Sequence, residues 1–162
     1  MTKIRISKVS DLATARACAT LNIDFIGLNL THGTPNAISP IKVNDYTQWL
    51  SGIEVVAQVH HLDEEKALKF MSLLNLQHAE ILGDNYSNGS EKLWYLNPKS
   101  QINCGKIVSE KTGLSGFLQI NNLADLDDLP TVGEIDLPIN IFEKNGEMDW
   151  QLAEDVINQL KA

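Results

Sequence analysis

Residues 25–59 begin and end with apolar runs, Phe25-Ile26-Gly27-Leu28-Asn29-Leu30 and Val55-Val56-Ala57-Gln58-Val59. A run that is apolar at nearly every position is typical of a parallel strand with both faces covered. Between the two runs, Ser39-Pro40 has the serine at a helix N-cap and the proline at the first helical position. The stretch therefore predicts a β-α-β unit, which is the repeating element of parallel α/β folds.

The same alternation continues on both sides of this unit. Lys3–Ile6 predicts a first strand, and Ser10 predicts the N-cap of the helix that follows. Further along the chain, Asp63 predicts the cap of a third helix, and Ala79–Leu82 predicts a fourth strand. Residues 1–84 are thus predicted to form a regular β-α-β-α-β-α-β half-barrel.

The second half of the chain has a different pattern. Residues 85–146 show no clean helical period and predict a region rich in strands and loops. Its strand-like pieces lie at 92–96, 106–109, 117–120 and 139–142, and one or two helical turns are predicted within 122–130. Residues 147–162 predict a C-terminal helix with one apolar face. The length suits a single domain over residues 1–162.

The composition excludes several classes of protein. The chain has 162 residues with 13 Lys and Arg against 21 Asp and Glu, so its formal net charge is −8. Nucleic-acid binding depends largely on cations that neutralise phosphates, and anionic membranes attract basic segments, so neither partner is expected. The length is also short of the ~250 residues of a typical eight-fold barrel. The prediction is therefore an α/β, TIM-barrel-like fold that is incomplete or irregular in its C-terminal half.

The sequence also bears on the location of the protein and on the use of its cysteines. No apolar run approaches the ~20 residues that span a bilayer, and the N-terminus lacks the apolar core of a secretory signal, so a cytoplasmic location is predicted. Cys18 and Cys104 lie far apart and form no CxxC motif, which argues against a disulfide framework or a cysteine zinc site. We predict neither a metal nor a cofactor.

Residues 1–84 resemble the N-terminal half of the phosphoribosylanthranilate isomerase family. The resemblance rests on the order and spacing of six segments: Lys3-Ile4-Arg5-Ile6, Asp24-Phe25-Ile26-Gly27-Leu28, Thr34-Pro35-Asn36, Ile38-Ser39-Pro40, Val55-Val56-Ala57-Gln58-Val59 and Glu80-Ile81-Leu82-Gly83-Asp84. It implies a TIM barrel. It also implies a tryptophan-biosynthesis activity, an Amadori rearrangement that converts an aminoaldose into an aminoketose.

The chemical positions differ from those of the family. Arg5 stands where the family has the cysteine that removes a carbon-bound proton, and a guanidinium stays protonated at any working pH. Asp136 is the nearest counterpart of the family's general acid, and the glycine-rich phosphate loops have no counterpart. We therefore expect the isomerase activity to be absent. Two alternatives stay open: an active isomerase with relocated acid and base, and a non-enzymatic interaction protein completed by self-association.

A pocket is predicted at the C-terminal ends of the strands. Its candidate residues are Arg5, Ser7, His60, His61, Glu80 and Asp84. Arg5 either forms an ion pair with Glu80 across the barrel interior, lies exposed at the strand end, or binds an anion, because arginine suits carboxylate and phosphate geometry. The partner expected for such a pocket is a small phosphorylated or carboxylated metabolite.

Overall fold

The computed structural model describes residues 1–34, 36–60, 64–82, 105–109, 117–120, 122–128 and 133–162. Its strands are β1 (Lys3–Ser7), β2 (Phe25–Asn29), β3 (Glu54–His60), β4 (His78–Leu82), β5 (Gly105–Ser109), β6 (Leu118–Gln119), β7 (Glu134–Pro138), β8 (Glu143–Lys144) and β9 (Glu147–Met148). Its α-helices are α1 (Leu12–Ala19), α2 (Val43–Trp49), α3 (Glu64–Leu74) and α4 (Trp150–Lys161), with 3₁₀ turns at Pro40–Lys42, Leu123–Asp128 and Ile139–Phe142.

One sheet organises the molecule. Its strand order is β5-β4-β3-β2-β1-β7-β6, and every neighbouring pair is parallel except β4 with β5. The six parallel strands form a curled half-barrel with helices. The predicted TIM-barrel-like α/β fold is therefore confirmed, and so is the irregularity of its C-terminal half, whose described residues include an antiparallel strand and 3₁₀ turns.

The helix starts differ in detail from the sequence prediction. Asp11, not Ser10, caps α1, because its carboxylate accepts a hydrogen bond from the backbone N–H of Thr14. The second helix begins as a 3₁₀ turn, and the Ser39 side chain makes no capping bond. The predicted C-terminal helix starts at Trp150 instead of at residue 147, because residues 147–148 pair with β8 in a hairpin.

The C-terminal half contains both confirmed and wrong assignments. Strands predicted at 106–109 and 117–120 correspond to β5 and β6, and the turns predicted within 122–130 are the 3₁₀ segment Leu123–Asp128. The strand predicted at 139–142 is wrong, because these residues form a 3₁₀ turn directly after Pro138. The prediction had no strand at β7. The assignments at 92–96 and Asp63 lie outside the described residues.

Alternating side chains give the sheet two different faces. The outer face carries aliphatic residues that pack with the helices in one continuous core; among them are Ile4, Ile6, Ile26, Leu28, Val55, Ala57, Ile135 and Leu137. Helix α4 joins this core through Ala153 and Ile157. Within the described part of the chain, no helix combines the length and apolarity needed to cross a membrane.

Candidate functional site

The inner face of the sheet is polar at its centre. Buried polar side chains project from β1, β3, β4, β6 and β7; they are Arg5, Ser7, Gln58, Glu80, Gln119 and Asp136. These residues alternate along their strands with the aliphatic residues of the outer core. The inner face is therefore the side of the sheet on which a functional site is to be sought.

Arg5 is the centre of this cluster. Its Nη1 and Nη2 atoms donate to the two carboxylate oxygens of Glu80 at 2.8 and 3.2 Å, and its Nε atom donates to Asp136 Oδ1 at 2.7 Å. All three side chains are buried. Of the three alternatives that the sequence left open for Arg5, the ion pair with Glu80 is the one present. A second carboxylate, on β7, makes it a three-residue cluster of one cation and two anions.

Asp136 is engaged through both of its oxygens. Oδ1 accepts from Arg5, while Oδ2 accepts from Ser7 Oγ at 2.7 Å and from Gln119 Nε2 at 3.2 Å. Its backbone lies directly opposite Arg5 in the β1–β7 pairing. Asp136 thus lies within a strand, beside Arg5, and both of its oxygens accept hydrogen bonds.

Glu80 is reached across two intervening strands, because β2 and β3 lie between β1 and β4. Gly27 on β2 makes this possible. A Cβ atom at Gly27 would lie 3.0 Å from Ser7 Cβ, 3.1 Å from Gln58 Oε1 and 3.3 Å from Arg5 Cδ, so a larger residue would meet the cluster. Gln58 on β3 completes the bridge, since its Nε2 atom donates to Glu80 Oε1 at 3.0 Å.

Aromatic rings line the inner face beside the cluster. The Arg5 guanidinium carbon lies 4.1 Å from the centre of the Phe117 ring, which meets Phe25 edge-on at 5.2 Å. Phe25 in turn contacts the ring of the buried His78, whose Nε2 atom pairs with the Glu54 carboxylate. The rings exclude water from one side of the guanidinium, which strengthens its attraction to the carboxylates.

The electrostatics fix the protonation state of Arg5. Burial by itself lowers the pKa of a guanidinium, but the negative charges of Asp136 and Glu80 and their hydrogen bonds outweigh it, and the pKa of Arg5 lies above its ordinary value. Arg5 is therefore a permanent cation.

Cys18 lies away from this cluster, in the outer core. Burial raises the pKa of its thiol to about 12, so the thiol is an unreactive core group.

Of the six predicted pocket residues, the structure brings three together. Arg5 and Ser7 share Asp136 as acceptor, and Arg5 bonds Glu80. The backbone of His60 ends β3, but its side chain, together with His61 and Asp84, lies outside the described residues. Cys104 also lies outside them. Their part in a site stays a prediction.

A cleft of about 380 Å³ opens where β1, β2 and β7 end. Lys8 contributes from the turn after β1, Asn36 from the loop after β2, and Asn140 from the turn after β7. Glu143 and Met148, from the β8–β9 hairpin, also line it. We call it the rim cleft. Among the described residues, no group of three or more His, Cys, Asp or Glu side chains is arranged to hold a metal ion.

Sequence reasoning missed part of the cluster. In the sequence, Gln58 and Gln119 are single polar residues within apolar strands, and nothing near Gly27 shows why this strand needs a glycine. The one local signal was polarity at alternate positions: Arg5 with Ser7 on β1, and Glu134 with Asp136 on β7. That pattern marks a polar face, but it does not say which strands share it.

The fold and site define a (β/α) barrel-like protein whose inner face is bridged by a buried ion-pair cluster. No family model matches the sequence, and no curated protein matches it. Solved structures of phosphoribosylanthranilate isomerases do match. The isomerase in complex with reduced 1-(o-carboxyphenylamino)-1-deoxyribulose 5-phosphate gives a TM-score of 0.64 at 12% identity, with 99% of each chain covered.

Two further structures show the range of this likeness. The isomerase from Thermotoga maritima gives a TM-score of 0.60 at 12% identity, again with 99% of each chain covered. The isomerase from Thermus thermophilus gives 0.47 at 21% identity and covers 52% of this chain and 42% of that one. The chain thus spans about two fifths of the length of the Thermus enzyme. At these identities the likeness is one of fold.

Proposed function

We propose that this protein is a phosphoribosylanthranilate isomerase-like protein that lacks the isomerase activity and binds a small metabolite carrying a carboxylate or phosphate. The observation that supports the first part is the buried contact of Arg5 with Glu80 and Asp136, at the strand position where the family has its base. The link to tryptophan biosynthesis is then one of ancestry. The cytoplasmic location stays a prediction.

Proton removal is the step that this arrangement does not support. A base must be able to accept a proton, and the two carboxylates keep the pKa of Arg5 above its ordinary value, so the guanidinium is protonated throughout. The positive charge also faces two negative charges at hydrogen-bond distance. Removing the base from an acid–base pair typically lowers the rate by about two to four orders of magnitude.

Proton donation is hindered for a separate reason. A general acid must face the substrate within hydrogen-bond reach, but Asp136 is fully buried and accepts from Arg5, Ser7 and Gln119. A substrate would have to displace at least one of these donors. The second candidate, an isomerase with relocated residues, would need an acid and a base in other positions.

The binding part of the proposal rests on charge and access. Arg5 is buried and already paired, so a ligand anion would meet two carboxylates beside it, and the inner cluster is a poor anion site. Lys8, at the rim cleft, forms no ion pair with any residue in the described ranges and is exposed. Strand C-terminal ends are also where barrel proteins bind their ligands.

The test is turnover of phosphoribosylanthranilate, followed by loss of its fluorescence, with the Thermotoga maritima isomerase as positive control. We expect no turnover above the uncatalysed rate, and no rescue of a tryptophan auxotroph that lacks the isomerase. Turnover by the wild-type protein that is lost in Asp136→Asn, with the fold retained by circular dichroism, would establish the active-isomerase alternative instead.

A further inference from the structure

The rim cleft carries two unpaired charges of opposite sign. Lys8 and Glu143 both line it, and neither forms an ion pair or a side-chain hydrogen bond with the other or with any residue of the described part of the chain. The other acid at the cleft, Asp11, is engaged, because both of its oxygens accept from Thr14. Among the described residues that line the cleft, Lys8 is thus a cation and Glu143 a carboxylate without an ion pair.

Neutral groups also line the cleft. The side chains of Asn36 and Asn140 line the cleft as uncharged donors and acceptors, and Ile139 and Met148 supply an apolar part of the wall. A cavity of about 380 Å³ is large enough for a ligand of amino-acid size. A ligand that matched the cleft would have one negatively charged group, one positively charged group and a short apolar side chain.

The backbone at the cleft is also unusual. Lys8 has φ = 58° and Asn36 has φ = 61°, so two of the non-glycine residues with positive φ in the described structure line the same cleft. Asparagine tolerates this conformation, but lysine adopts it at a cost, and such residues cluster at functional sites. Lys8 therefore lies at the cleft in a strained backbone conformation of the kind found at functional sites.

We propose that the rim cleft binds a small zwitterion of the α-amino acid class, with the ligand carboxylate at Lys8 and the ligand ammonium at Glu143. This inference rests on the small-metabolite binding proposed above and makes it specific. It does not depend on whether the isomerase activity is absent, because the inner cluster and the rim cleft share no lining residue.

The experiment compares three ligands of matched shape by titration into ¹⁵N-labelled protein, with the amide signals of Lys8, Asn36 and Asn140 as the readout. L-Leucine carries both charges, 4-methylpentanoate lacks the ammonium, and 3-methylbutylamine lacks the carboxylate. We expect saturable shifts with leucine and about tenfold weaker binding of each analogue, because each analogue leaves one charged group unpaired.

Two variants with matched controls assign the contacts. Lys8→Gly and Glu143→Gln are each expected to weaken leucine binding about tenfold. Asn75→Gly relaxes another positive-φ position, φ = 53°, away from the cleft, and Glu147→Gln removes a second carboxylate from the same hairpin; both should bind leucine as the wild type does. Because glycine relaxes the backbone at Lys8, the Lys8→Gly variant is expected to fold at least as stably as the wild type.

Three outcomes would overturn the inference. They are an absence of saturable shifts with leucine up to about 20 mM, an analogue that binds as tightly as leucine, and unchanged leucine binding by Lys8→Gly or Glu143→Gln. If 4-methylpentanoate matches leucine, the zwitterion is wrong and the anionic metabolite of the proposed function stands. Turnover of phosphoribosylanthranilate would overturn the loss of activity without affecting these titrations.

Discussion

The two faces of β1 show how differently one strand can be used. Ile4 and Ile6 on the outer face join a large aliphatic core with the helices, while Arg5 and Ser7 on the inner face join a small set of charged and polar groups. Aliphatic contacts are non-directional and tolerate substitution of similar volume. Charge pairs require particular partners at particular distances, so we expect the outer face to supply most of the stability and the inner face to specify which strands meet.

The largest expected effect comes from removing the inner cation. Arg5→Met should lower the free energy of unfolding by about 3–5 kcal/mol, because Glu80 and Asp136 would stay buried without their partner. Urea denaturation measures it. The control is Arg16→Met, which alters the chain's other arginine, an exposed residue stacked 3.9 Å over Trp49, and should cost about 0.5–1 kcal/mol.

A combined variant separates stability from specificity at the same site. The triple variant Arg5→Met, Glu80→Met and Asp136→Leu removes all three charges. Its free energy of unfolding should be higher than that of the wild type, or lower by no more than about 1 kcal/mol. If Arg5→Met alone costs no more than Arg16→Met, the inner cluster does not hold the strands together and the contrast between the faces fails.

A middle-sized effect is expected at Gly27, where an added methyl group would meet the side chains of the inner cluster. Gly27→Ala places a Cβ atom 3.0 Å from Ser7 Cβ and should cost about 1–3 kcal/mol by overpacking. Gly133→Ala is the control, since nothing lies within 4 Å of its added methyl group, and it should change stability by less than about 0.5 kcal/mol. Equal thermal shifts for the two variants would contradict the bridging role of Gly27.

The smallest effect concerns a carboxylate at the edge of the inner face. Burial raises the pKa of Glu134, and the nearby Lys3 offsets this only in part. A carboxyl group whose pKa is raised in the folded state makes unfolding easier as the pH rises above about 4.3, its unfolded value. Glu134→Gln should therefore stabilise the protein slightly at pH 7, by less than about 1 kcal/mol, and leave stability unchanged below pH ~3.5. A stabilisation that persists at low pH would point to packing instead of charge.

The sequence supported the fold far better than the site. The β-α-β units of the first half were predicted because their apolar runs and caps are local signals. β7 was missed because Glu134 and Asp136 make it look polar, although it is buried in the structure as the neighbour of β1. Asp136 can be recognised as a partner of Arg5 on the inner face only when β7 is known to lie beside β1.

The order of strands and helices in residues 1–82 was determined by the sequence alone, since it follows from periodicity over a few residues at a time. The presence of an arginine at position 5 was also visible there, and a guanidinium cannot accept a proton wherever it lies. Only the tertiary structure decided that Arg5 pairs with Asp136 as well as Glu80. That contact joins residues 131 positions apart, and sequence periodicity carries no information about which distant strand lies beside β1.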